Sequence, residues 1–213
     1  MFMLDKKQLL ISGGAIHRGF SIYEKASYRN HPKWELAIEL RRRYPEMPFI
    51  CDPSHIGGDS IHLYDISQKA MDLNFDGLMI ESHICPKEAW SDAKQQITPN
   101  ELNDLLGRLI LRESDSKDNK FLDMLNELRN QIDVFDDQLL DVIEQRMKVA
   151  ETIGQYKRDN KITILQAARW TQILQTSIEK GEKKGLSPEF IGSFFKAIHQ
   201  ESINKQIQSI QQP

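Results

Sequence analysis

Between residues 121 and 156, alternating steps of four and three residues land on Phe121, Leu125, Leu128, Ile132, Phe135, Leu139, Val142, Arg146, Val149, Ile153 and Tyr156. Ten of these eleven are apolar or aromatic, and the 3.5-residue period is that of a helix seam. Such a helix runs about 54 Å at 1.5 Å per residue, whereas a 100-residue domain has a radius of gyration of about 13 Å. A seam that long cannot be buried inside one small domain; it asks for a partner chain. Gly and Pro nearly vanish from this half. Two shorter helices are expected to follow, over 165 to about 182 and 188 to about 208, with Ser187 capping the last and Pro188 in its first position. Gly181 and Gly185 are expected to bound the turn between them.

The first half, to about residue 112, has a different grammar. Residues 47–51 and 76–80 are continuous rather than alternating in polarity, which suits strands covered on both faces in a parallel sheet, and an earlier strand is expected just before His17. Helices are expected over 34–43 and 61–73, and another opens at Thr98-Pro99, a cap followed by Pro at the first helical position. This makes about three βα units. Residues 113–119 contain no large apolar side chain and read as a linker.

Lys and Arg total 28 against 31 Asp and Glu, so no basic excess recommends a nucleic acid or an anionic membrane as partner. No apolar run approaches the roughly 18 residues of a membrane span, and residues 1–7 lack the pattern of a signal peptide. Two cysteines, Cys51 and Cys85, are too few for a disulfide framework, so the expected compartment is the cytoplasm.

Polar residues interrupt the helical stripes in a pattern. Arg146 is the charged member of the seam, and Lys157 follows 11 residues later on nearly the same face, about 16 Å along the axis. In the last helix the stripe Ile191, Phe194, Phe195, Ile198 continues onto Ser202 and Gln206. Gln166, Arg169 and Trp170 form an i, i+3, i+4 group at the start of the middle helix. Each cluster alone reads as helix-end exposure or a snorkelling side chain. Together they describe a pocket in a helical bundle that collects cations and neutral donors without a nucleophile.

With Leu128-Arg129, Gln145-Arg146, Gly154-Gln155-Tyr156-Lys157, Arg169, Ser202 and Gln206 at their spacing, the second half resembles the all-helical chorismate mutase family. The resemblance implies a three-helix domain over 120–213 that interlocks with a second copy into a homodimer. It also implies rearrangement of chorismate to prephenate in aromatic amino-acid (shikimate pathway) biosynthesis, with no cofactor. It assigns Arg129, from the partner protomer, with Arg146 and Arg169 to the two carboxylates, assisted by Ser202. Lys157 and Gln206 fall to the ether oxygen. Geometry agrees with the crossing: Arg129 and Arg146 lie 17 residues apart, about 25 Å along a helix and roughly 100° around it. Two positions depart from the family pattern, in which acidic residues meet the substrate hydroxyl: here they are Gln166, which can still accept a hydrogen bond, and Trp170, which only donates.

The first half offers Ile16-His17-Arg18-Gly19-Phe20-Ser21, Tyr28-Arg29-Asn30, Cys51-Asp52-Pro53-Ser54-His55-Ile56-Gly57-Gly58, Gly77-Leu78-Met79-Ile80-Glu81-Ser82-His83 and Trp90-Ser91-Asp92-Ala93-Lys94-Gln95-Gln96. These are similar to the terminal part of the 3-deoxy-D-arabino-heptulosonate 7-phosphate (DAHP) synthase family. That resemblance implies the last units of a TIM barrel over 1–112, with His55, Glu81 and Asp92 at its C-terminal edge as ligands for Mn²⁺ or a similar divalent ion, and Arg18 for a phosphate. A closed barrel needs eight strands and this segment supplies about three, so the metal is expected only if a complete synthase site is assembled. Three readings stay open: a dimeric mutase carrying an inactive synthase segment, one part of a split bifunctional enzyme that associates with the missing units in trans, and a prephenate- or chorismate-sensing module.

Overall fold

The structure, a computed structural model, describes residues 14–21, 27–113 and 115–211; the residues read for a leader lie outside these. The chain divides into two units, Met1–Ser116 and Lys117–Pro213. Among the described residues no helix is long and apolar enough to cross a membrane.

In the first unit, β1 (Ala15–His17), β2 (Phe49–Cys51) and β3 (Gly77–Leu78) form a parallel sheet in the order β1-β2-β3, with Ile16 beside Ile50 and Cys51 beside Leu78. The helices are α1 (Trp34–Arg43), α2 (Pro53–Gly57), α3 (Leu63–Asp72) and α4 (Pro99–Arg108). Polar side chains set their starts. Asp52 caps α2 by accepting from the His55 N–H at 3.1 Å, and Thr98 and Glu101 close a reciprocal capping box on α4. The single helix expected over 61–73 is two pieces: a 3₁₀ turn, Ser60–His62, capped by Asp59, leads into α3.

The core of this unit lies on one side of the sheet, where Phe49 and Cys51 meet Ala37 of α1, Ile56 of α2, Ile66 and Ala70 of α3, and Phe75. A smaller cluster joins Leu63, Ile97 and Leu105. The expectation of strands covered on both faces does not hold among the described residues. Successive strand residues point to opposite faces, and on the second face Ile16 is 53% exposed, while among the described residues α1, α2 and α3 pack against the first.

The second unit is three helices: α5 (Asn119–Asp159, 41 residues), α6 (Ala167–Glu182) and α7 (Pro188–Gln211). Asp118 caps α5 by accepting from the Lys120 and Phe121 N–H groups, and the Ser187 hydroxyl accepts from the Phe190 N–H at 3.2 Å. Gly185, at φ 77°, turns the chain between α6 and α7; Gly181 lies inside the last turn of α6, where a Cβ would sit 2.5 Å from the side chain of Ile191.

Among the described residues, the buried positions of α5 lie in its C-terminal half, Met147, Ala150 and Gly154, against α7. These stand one position beyond the apolar seam. The seam is therefore left outside: Phe121, Leu128, Ile132, Phe135, Leu139, Val142, Val149, Ile153 and Tyr156 are 43–68% exposed, and every residue from 126 to 142 is exposed.

Candidate functional site

Where α5 meets α7, side chains that the periodicity placed on separate stripes come together. The Arg146 guanidinium donates to the Ser202 hydroxyl, which donates in turn to the Ile198 carbonyl at 2.8 Å. Three turns along, the Lys157 ammonium donates to the Gln206 Oε1 at 3.1 Å and to the Ile164 carbonyl at 2.5 Å. Ser202 and Gln206 are buried; Arg146 and Lys157 are half-buried. Among the described residues, both cations are held by neutral oxygens rather than by a carboxylate. Burial lowers the pKa of each, since it disfavours the charged form.

The donor arithmetic shows what the cluster can still do. A guanidinium has five N–H groups and an ammonium three, so both cations keep donors for an anion after these bonds are made. Lys157 engages the amide oxygen of Gln206, which fixes the amide with its NH₂ turned away and free to donate. The site can hold a compact anion and donate to an oxygen on it. Among the residues of the cluster there is no thiol, carboxylate or activated hydroxyl to attack anything.

The remaining expected residues are placed elsewhere. Arg129 stands on the exposed part of α5, about 25 Å along the axis from Arg146. Arg169 is exposed and donates to Gln172 at 2.8 Å, while Gln166 occupies the cap position of α6 without a side-chain capping bond. Of the Gln166, Arg169, Trp170 group, Trp170 alone turns to α7, where it stacks on His199 with ring centroids 3.9 Å apart. His199 was in no motif; its one signal was a histidine three residues before Ser202, on the same helix face.

In the first unit a polar chain runs along the C-terminal edge of the sheet. Asp52, buried, pairs with Arg18 Nε at 2.9 Å and with His55 Nδ1 at 2.9 Å. His55 Nε2 then faces Glu81 at 3.6 Å, and Glu81 accepts from the Gln95 amide at 2.8 Å. Arg29 bridges Gln95 Oε1 at 3.0 Å and Asp92 at 2.9 Å. His55 and Glu81 thus meet, while Asp92 joins them only through Arg29 and Gln95. A divalent ion would need three such donors converging, and among the described residues no group of three or more His, Cys, Asp or Glu does so. Cys51 is no substitute: burial, and after it the charge of Asp52, pushes its thiol up to about 12. The donors present do not complete a metal site. Arg29 and Gln95 stood within the motifs read from sequence, but nothing in their spacing showed them bridging the acidic residues.

Residues 128–207 match the family model described as chorismate mutase type II, and residues 11–116 match that of the DAHP synthetase I family. A phospho-2-dehydro-3-deoxyheptonate aldolase of Thermotoga maritima is 31% identical over 100 residues, 45% of this chain and 29% of that protein. A 4-amino-4-deoxychorismate mutase of Streptomyces pristinaespiralis is 29% identical over 80 residues, 38% of this chain and 62% of that protein. Among solved structures, the truncated form of 3-deoxy-D-arabino-heptulosonate 7-phosphate synthase from Thermotoga maritima aligns with 43% of this chain and 34% of its own, at 29% identity and a TM-score of 0.40.

Proposed function

From a chorismate mutase type II domain and a partial DAHP synthase domain carried on one chain, we propose that this protein is a chorismate mutase, an isomerase that converts chorismate to prephenate by Claisen rearrangement. The mutase domain extends over 120–213, the synthase segment over 1–112, and 113–119 links them. The observation that carries the reading is the pair of bonds Arg146–Ser202 and Lys157–Gln206, two cations with spare donors and neutral partners at one helix contact.

Chorismate is a dianion whose ether C–O bond breaks as a C–C bond forms within the same molecule. The protein has to hold the folded conformer and stabilise negative charge growing on the ether oxygen, by orientation and preorganised electrostatics. Arg146 binds one carboxylate with Ser202 holding its guanidinium in place. Lys157 and the free NH₂ of Gln206 donate to the ether oxygen, and Arg169 turns inward from α6 to the second carboxylate with Gln166 beside it. Arg129 of a second copy completes the cage. The exposed seam of α5 supports that arrangement, because a lone helix with an apolar stripe in water has no packing to stabilise it. The partner is another copy of this chain, forming a homodimer in the cytoplasm.

Lys157→Ala is expected to lower kcat by about 10²–10³-fold, as loss of one donor to a developing oxyanion does elsewhere. Chorismate absorbance follows the rate and circular dichroism checks the helices; near-normal turnover would overturn the assignment. The first unit by itself makes no DAHP: purified chain with Mn²⁺, phosphoenolpyruvate and erythrose 4-phosphate is expected to give no condensation product. A second reading, one part of a split bifunctional enzyme, is favoured by the half-exposed Ile16 on the uncovered face of the sheet. It requires that product appear once the remaining barrel units are added in trans.

A further inference from the structure

Three carboxylates, Asp52, Glu81 and Asp92, line the C-terminal edge of the sheet in the first unit, and each is met by a donor from the chain itself. Asp52 takes Arg18 and His55, Glu81 takes the Gln95 amide, and Asp92 takes Arg29. A single nitrogen joins the last two. Arg29 Nη1 donates to Asp92 Oδ1 at 2.9 Å and to Gln95 Oε1 at 3.0 Å, and the Gln95 NH₂ carries the contact on to Glu81 Oε2 at 2.8 Å. Gln95 is 1% exposed, so its amide oxygen needs that guanidinium as a donor.

Backbone fixes Arg29 in this place. Its N–H donates to the Gly57 carbonyl at 3.3 Å, and the next side chain, Asn30, donates to the carbonyls of Arg18 and His55 at 3.1 and 3.0 Å. The Arg29 stem passes directly over Gly58, where a Cβ would stand 2.5 Å from the Arg29 Cβ. On the other side Asp92 meets the guanidinium from a left-handed backbone, φ 48°, which a residue with a side chain keeps only where its surroundings hold it. An ion pair between two mobile surface side chains contributes little, but here both ends are held and one of them reaches into the core through Gln95.

A divalent ion at this edge would need the lone pairs of Glu81 and Asp92 beside His55. Those of Asp92 Oδ1, and through Gln95 those of Glu81 Oε2, are already engaged by a positive charge that repels a second cation. We propose that Arg29 is a built-in counter-ion: it stands where a divalent cation would draw these acids together, so the first unit keeps its fold with no resident metal. The inference does not depend on the mutase reading, which concerns the other unit.

The test is titration of the full chain with MnCl₂, read by paramagnetic broadening of the histidine ring resonances in NMR, with the His55 signal assigned through His55→Gln. Arg29→Met is titrated beside it; its unbranched stem fits over Gly58 but carries no charge. At one equivalent of Mn²⁺ the native His55 resonance is expected to stay sharp. In Arg29→Met it is expected to broaden, because Glu81 and Asp92 have lost their internal cation, and in Arg29→Lys, which returns the charge, to stay sharp. The other histidine signals of the first unit report whether each variant is folded. A His55 resonance broadened in the native chain overturns the inference, as does one that stays sharp in a folded Arg29→Met. The native titration needs no variant, so the inference can fail even where Arg29→Met does not fold.

Discussion

His17 ends β1 with its ring among Phe20, Trp34 and Phe75, at centroid separations of 5.4–6.2 Å, and its buried Nε2 meets no partner. Burial lowers its pKa, outweighing a backbone hydrogen bond at Pro32 that raises it. An unfolded histidine takes up a proton as the pH drops through about 6.5, while the folded unit resists it until a lower pH, so stability falls with pH in that window and levels off below the folded pKa. His17→Phe, which keeps the aromatic contacts and removes the titration, is expected to flatten the dependence of the first unit's urea midpoint as the pH falls below about 6.5. An unchanged slope would mean that another group carries it. The same kind of burial at Arg146 and Lys157 has the opposite use: neutral oxygens hold each cation in a partly dry place without cancelling its charge.

At the scale of elements, the contact between α5 and α7 depends on a residue with no side chain. A Cβ on Gly154 would stand 2.8 Å from the Gln206 Cα and 2.9 Å from its carbonyl oxygen. Both are backbone atoms, so no rotamer change relieves the clash; α7 has to move, and Gln206 with it. Gly154→Ala is expected to destabilise the second unit by about 1–3 kcal/mol, the range for overpacking, and to lower mutase turnover by separating Gln206 from Lys157. Thermal unfolding and the chorismate assay measure the two effects, and a variant with native stability would show that the helices do not approach so closely. Periodicity made the length of α5 legible, but not which stripe its own chain would use. Ala150 and Gly154 let α7 approach one position away from the apolar seam, and seam spacing carries no information about how near two backbones can come.

At the scale of the whole molecule, the exposed seam predicts an oligomer. Phe135→Glu, near the middle of the seam, is expected to reduce the mass measured by light scattering from dimer to monomer and to abolish turnover, because Arg129 would no longer reach a second copy's site. A native mass of one chain would remove the basis for the cage. Much of this was written locally. Thr98-Pro99 and Ser187-Pro188 announce two helix starts, and the runs around Phe49 and Leu78 announce two strands, because capping and periodicity act over a few residues. The identities and spacing of Arg146, Lys157, Ser202 and Gln206 were likewise in the sequence. Only the tertiary structure decided that Ser202 takes Arg146 and Gln206 takes Lys157, that His199 lies under Trp170, and that Asp92 is engaged by Arg29. These are meetings between residues 29 to 63 positions apart, settled by which helix faces and loop ends can pack at once, a condition on the folded chain that no local pattern contains.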